Sequence, residues 1–147
     1  MILLDTNVIS EIMRPRPDPV VTTWVQSLPR REFWTSSVVV AELLSGIDLM
    51  PPGRRQEGLR EAVEGMIAED FHGQILSFDL AAARHFAQIL TARQHMGRPI
   101  NEMDAQIAAT ARVYGATLAT RNIKHFLACD LDLFNPWSEN PQESTHH

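Results

Sequence analysis

Apolar positions open the chain in an unbroken run and then change period. Ile2, Leu3 and Leu4 are consecutive, Asp5, Thr6 and Asn7 follow without a break, and Val8, Ile9 and Ile12 recur at helical spacing. This pattern predicts a buried strand whose end meets a helix start. Prolines at 15, 17 and 19 make the next stretch a turn, because a helix cannot continue through them. Val21, Trp24, Val25 and Leu28 then stand at i, i+3, i+4 and i+7, which predicts a short helix over 20–28. A second strand is expected at 33–35. Ser36 or Ser37 caps a helix over 38–49, and Pro51-Pro52-Gly53 ends that region. Leu59, Val63, Met66 and Ile67 mark a helix over 54–69. A third strand is expected at 75–78, followed by a helix from Asp79 to Met96 that Gly97 closes. Asn101 begins a further helix ending at Tyr114-Gly115, followed by a strand over 116–120 and a helical turn over 122–126. Residues 131–134 are expected to form a final edge strand, and the chain is polar and expected to be frayed from Ser138 onward.

Strands alternating with helices predict an α/β domain with a small, mainly parallel sheet flanked by helices on both faces. At 147 residues and 44% hydrophobic, the chain is expected to form one domain over 1–137 with a polar tail over 138–147. His146 and His147 are consistent with a truncated affinity tag. No run is long enough to span a bilayer, and no export signal opens the chain. Cys129 is the single cysteine, so no internal disulfide forms and a reducing cytoplasm is the simplest assignment. It reads as a passive thiol. The net charge of −5 argues against broad nonspecific nucleic-acid binding but is compatible with a locally acidic metal site. The arginine pairs at 14 and 16, 30 and 31, and 54 and 55 read first as solvated surface and second as a phosphate-binding rim.

Acidic residues occupy three informative places. Asp5 follows the first strand, where open α/β sheets form their ligand crevices; it is equally well placed to cap the next helix. Glu42 lies inside an apolar helix whose expected core stripe is Val40, Leu43, Leu44 and Ile47. At 3.6 residues per turn, Glu42 is then expected to face nearly opposite the core, as a surface glutamate does. Val38 and Ser45 on that face are small or apolar, which is unusual for a solvated stripe. Asp104 occupies the first turn of the helix begun by Asn101, where a carboxylate also favours the helix dipole. Singly, each acid is explained by structure. Together, Asp5 and Asp104 fall at one edge of the sheet, where carboxylates repel unless a cation lies between them. Oxygen ligands suit Mg²⁺ or Mn²⁺. The histidines at 72, 85, 95 and 125 show no paired spacing for zinc.

At this level the chain resembles the PIN-domain ribonucleases. Asp5-Thr6-Asn7 resembles their opening motif, Val40-Ala-Glu42-Leu-Leu-Ser-Gly46 the second, Asp104-Ala-Gln-Ile-Ala-Ala109 the third, and Ala119-Thr-Arg-Asn122 with Phe126 the fourth. Asn135-Pro-Trp137 resembles a common family ending. Each motif is short, but together they cover nearly the whole chain in order. The likeness is strongest to the VapC toxins of bacterial toxin–antitoxin pairs, in the FitB-like branch. The resemblance implies a metal-dependent endoribonuclease with Asp5, Glu42 and Asp104 as metal-site acids, and Thr6 or Thr120 as supporting hydroxyls. It further implies a homodimer and an antitoxin covering the active site, with operator DNA bound only through that antitoxin. The apolar surface of Trp24 and Trp34 is expected to contribute to association.

The chain departs from the family at Asn122, where many members carry a fourth acid, and Ile123-Lys124-His125 lacks the aspartate often found before the phenylalanine. An amide can hold a metal or its water but adds no charge. Two other readings stand beside the nuclease. One is a PIN-like binding module whose acids hold an inert ion or a partner's arginine. The other is a haloacid-dehalogenase-type phosphatase, which would need a second acid where this chain has Asn7.

Overall fold

The structure, a computed structural model, describes residues 1–138 and the backbone of Thr145–His146. Its strands are β1 (Ile2–Leu4), β2 (Phe33–Ser36), β3 (Ile75–Leu76), β4 (Thr117–Ala119), β5 (Asp132–Phe134) and β6 (Thr145–His146). The α-helices are α1 (Thr6–Ile12), α2 (Pro19–Gln26), α3 (Ser37–Asp48), α4 (Arg54–Gly65), α5 (Leu80–His95) and α6 (Glu102–Val113). The strands lie in the order β3-β2-β1-β4-β5-β6. The first five are parallel and β6 is antiparallel to β5.

That order fixes where a site can form. The connections from β1 to β2 and from β2 to β3 run one way along the sheet, and the connection from β3 to β4 returns past β1. Right-handed crossovers then put α5 and α6 on the face opposite the helices of the first two connections. The chain reverses direction between β1 and β4, whose residues pair Ile2 with Thr117, Leu3 with Leu118 and Leu4 with Ala119. The crevice beyond the carboxyl ends of these two strands is the switch point at which open α/β sheets bind ligands. Leu3, Leu4, Leu118 and Ala119 are buried, as strands covered on both faces require.

Several expected boundaries move, each for a visible reason. The helix expected over 54–69 is α-helical only to Gly65, and Met66–Asp70 winds as a π helix. The Phe71 amide there bonds to the Met66 carbonyl at 3.0 Å, and the wider turn buries both side chains. The third strand stops at Leu76 because the Phe78 amide donates to Ser37 Oγ at 3.2 Å instead of continuing the ladder. The last expected strand is not an edge, since β6 pairs beyond it. Of the tail expected to be frayed, 139–144 and 147 lie outside the described residues.

Trp24 stacks on Phe134 with centroids 5.0 Å apart and meets Phe33 edge-on at 5.3 Å. Its apolar surface therefore closes this domain's own core and supplies no argument for association; Trp34 packs partly buried against the same core. Among the described residues, no helix is long and apolar enough to cross a membrane.

The start of α3 rests on Ser36, a buried cap whose Oγ accepts from the Val39 amide at 3.1 Å. Ser36→Ala leaves that amide unpaired in the core and is expected to cost about 1–2 kcal/mol, read as a lower urea midpoint at unchanged slope.

Candidate active site

Asp5 leaves β1 at the switch point and is both cap and site residue. Its amide bonds to the Ala119 carbonyl at 2.9 Å, which ties the strand end to β4. Oδ1 accepts from the Thr6 amide at 2.8 Å, capping α1. Oδ2 accepts from the Thr120 hydroxyl at 2.7 Å and from Asn7 Nδ2 at 3.3 Å. The side chain is only 5% exposed. Thr120 in turn accepts from the Asn122 amide at 3.1 Å, and Asn7 Oδ1 accepts from the Arg121 amide at 3.2 Å. The backbone after β4 is thereby locked to the residues after β1.

Glu42 is not on the far side of its helix. The residues buried along α3 are Val38, Val39, Leu43 and Ile47, so the core stripe is centred about one residue away from the expected one. Glu42 lies one turn beyond Val38 at the edge of that stripe, half-buried, and Oε1 accepts from the Thr6 hydroxyl at 2.9 Å. Asp104 stands in the first turn of α6, begun by Asn101, whose Oδ1 accepts from the amides of Met103 and Asp104 at 2.9 and 3.3 Å. His125 Nδ1 lies 3.7 Å from Asp104 Oδ2.

The three acids feel one another. Burial, and then the charge of Asp104, pushes the Asp5 carboxyl above its ordinary range, against the hydrogen bonds that favour ionisation. Burial raises Glu42 as well, and both Asp5 and Asp104 add to that rise. Burial raises Asp104, while His125 and the guanidinium of Arg93 work the other way. Among the described residues, no three acidic, histidine or cysteine side chains close into a ready-made metal cage. The donor set is one of carboxylates carried by separate elements. That fits Mg²⁺, which keeps several waters and takes only one or two carboxylates directly.

The Thr6 hydroxyl donates to Glu42 and the Thr120 hydroxyl to Asp5. Asn122 is at the same edge through its amide, with its side chain exposed. Sequence reasoning missed three contributors. Asn7 was legible only as part of a capping triplet, yet it braces Asp5 and Thr120 together. His125 carried no spacing signal. Arg93 reads as an ordinary basic residue in a last helical turn, and folding buries it. Cys129, expected as a passive thiol of either surface or core, is buried.

The profile of the PIN domain family matches residues 2–129. The chain is 42% identical over 139 residues to toxin FitB of Neisseria gonorrhoeae, covering 95% of this chain and 100% of that one. It is 39% identical over 137 residues to VapC ribonuclease Y4jK of Sinorhizobium fredii, covering 93% and 98%. The solved structure of FitAB bound to DNA superposes with a TM-score of 0.87 at 41% identity, covering all of both chains.

Carboxyls whose folded pKa is raised favour the protonated fold, so their contribution is present below the ordinary carboxylate range and is lost as pH rises through the raised values. Glu42→Gln keeps an acceptor for Thr6 and removes one repelling charge. In chelator at pH 7 it is expected to raise Tm by about 1–2 °C, a change of up to about 0.5 kcal/mol. The gain should shrink toward pH 4. A lower Tm at pH 7 would show that Glu42 is not under charge repulsion.

Proposed function

The chain belongs to the PIN-domain family, and from that premise we propose that it is a metal-dependent endoribonuclease acting in the cytoplasm as the toxin of a toxin–antitoxin pair. The observation that carries this reading is the electrostatic convergence of Asp5, Glu42 and Asp104 from three separate parts of the sequence. A relative named as a VapC ribonuclease supports the reaction class.

In this reading the three carboxylates hold Mg²⁺ or Mn²⁺, which when bound supplies a Lewis acid for the phosphate and lowers the pKa of water. The protein's own part is orientation. Thr120, Thr6 and Asn7 fix Asp5 so that it needs no rearrangement on binding, and Thr6 also holds Glu42 toward it. His125 borders Asp104, and Lys124, exposed on the same turn, offers positive charge to an RNA backbone that the acids would repel. A phosphatase of the haloacid-dehalogenase type is disfavoured by Asn7, which donates to Asp5 where that chemistry needs an acid. The exposed neutral side chain of Asn122 favours, as a second reading, a binding module without catalysis.

A groove leads from Glu42 along α1, α3 and α4, lined by Thr6, Glu42, Ile47, Met50, Arg55 and Leu59. Its apolar floor and position suit an antitoxin segment that covers the site. Structures of relatives are named as FitAB bound to a DNA fragment and VapBC2 of Rickettsia felis bound to a fragment of its promoter, so operator DNA would be reached through the antitoxin. A homodimer completes the proposed assembly.

Purified protein is expected to cleave RNA in Mg²⁺ and to stop in chelator; no cleavage in either would favour the binding module. Asp5→Asn and Asp104→Asn should each reduce Mg²⁺-dependent cleavage at least a hundredfold with the fold intact by circular dichroism, and wild-type rates in both would refute the site. Asn122→Asp adds a charge at the same edge. It should tighten Mn²⁺ binding about tenfold, roughly 1–2 kcal/mol, and lower the metal-free Tm. If neither moves, Asn122 is outside the metal's reach.

A further inference from the structure

Arg93, near the end of α5, is 6% exposed, and its hydrogen bonds go to carbonyls. Nε donates to the Arg98 carbonyl at 2.8 Å. Nη1 donates to the carbonyls of His125 at 2.9 Å and Leu127 at 3.0 Å, and lies 3.6 Å from Cys129 Sγ. A charged fork buried on neutral acceptors is costly, so something must be gained by it. What it grips is the exit of the 3₁₀ turn Ile123–Phe126, which carries His125 to within 3.7 Å of Asp104.

The chain beyond that turn would not stay in place unaided. Ala128 and Asp130 have φ of 61° and 55°, the left-handed region that non-glycine residues rarely adopt. Such residues persist where their surroundings over-determine them. Here Arg93 holds the near side of this bend. Arg112 holds the far side, with Nη1 donating to the Cys129 carbonyl at 3.2 Å and Nε to His85 Nδ1 at 2.8 Å. Two guanidiniums from adjacent helices thus clamp the strained bend between the 3₁₀ turn and β5.

We propose that Arg93 is a positioning residue for RNA cleavage: through the carbonyls of His125 and Leu127 it fixes the turn that carries Lys124 and sets His125 beside Asp104. The inference rests on the endoribonuclease reading above. Arg93 touches neither RNA nor metal. Its effect is on substrate placement, so it is read in KM and spares the binding of a bare cation.

The test compares wild type, Arg93→Lys and Arg93→Met by steady-state RNA cleavage in Mg²⁺, Mn²⁺ calorimetry, and NMR of the His125 ring. Arg93→Met should lower kcat/KM at least tenfold, mainly through KM, with the Mn²⁺ Kd within threefold of wild type. Arg93→Lys, which keeps the charge and part of the donor set, should recover some of that loss. If Arg93→Met does not fold, Arg93→Lys alone decides, with an expected threefold to tenfold loss. Wild-type kcat/KM in a folded variant overturns the proposal, as does a loss matched by an equal loss of Mn²⁺ affinity. Should wild type itself not cleave RNA, the nuclease reading fails separately. The His125 ring signals then decide positioning: they should shift and broaden in Arg93→Lys, and unchanged signals refute it.

Discussion

A carboxylate buried at the end of the first strand is the constraint around which the domain is built. Taking one ion out of water costs on the order of several kcal/mol even after relaxation. Asp5 offsets that cost with the Thr6 amide, the Thr120 hydroxyl and the Asn7 amide. Those donors come from α1 and from the chain leaving β4, so the carboxylate can be held only where β1 and β4 lie side by side. The topology that makes a switch point and the hydrogen bonds that keep a charge there are therefore one requirement.

Meeting it leaves a second difficulty. Glu42 and Asp104 approach from α3 and α6, and every carboxyl of the three is pushed up by burial, with the others' charges adding to Asp5 and Glu42. Protein folds do not gather repelling acids in this way for stability. The positive charges nearby are placed unevenly. Arg93 is buried and lowers Asp104, whereas Lys124 is exposed on the turn that carries His125.

Most of the frame was legible in the sequence because it depends on local periodicity. The strand-to-helix junction at Asp5, the Asn101 cap and the glycine at 97 with φ of 70° are all set by near neighbours. What was not legible depends on distant packing. Glu42 was expected to face water because Val40 and Leu44 look as apolar as Val39 and Leu43, and only the neighbouring α1 and α4 decide which pair goes inside. The π turn at Met66–Asp70 arises from the need to bury both Met66 and Phe71. Arg93 is the extreme case: two of its partners lie more than thirty residues away and are backbone carbonyls, which no side-chain pattern reveals.

The proposed function stands or falls with Asp5, Glu42 and Asp104 acting as one coupled, cation-holding site. The most direct measurement is a pH titration of the side-chain carboxyl carbons of Glu42 and Asp104 by NMR, in chelator and again with Mg²⁺. The account predicts midpoints above the ordinary carboxylate range in chelator, a fall in the Glu42 midpoint when Asp104 is neutralised, and a drop of both on adding Mg²⁺. Ordinary midpoints that ignore both the neighbouring acid and the metal would contradict it.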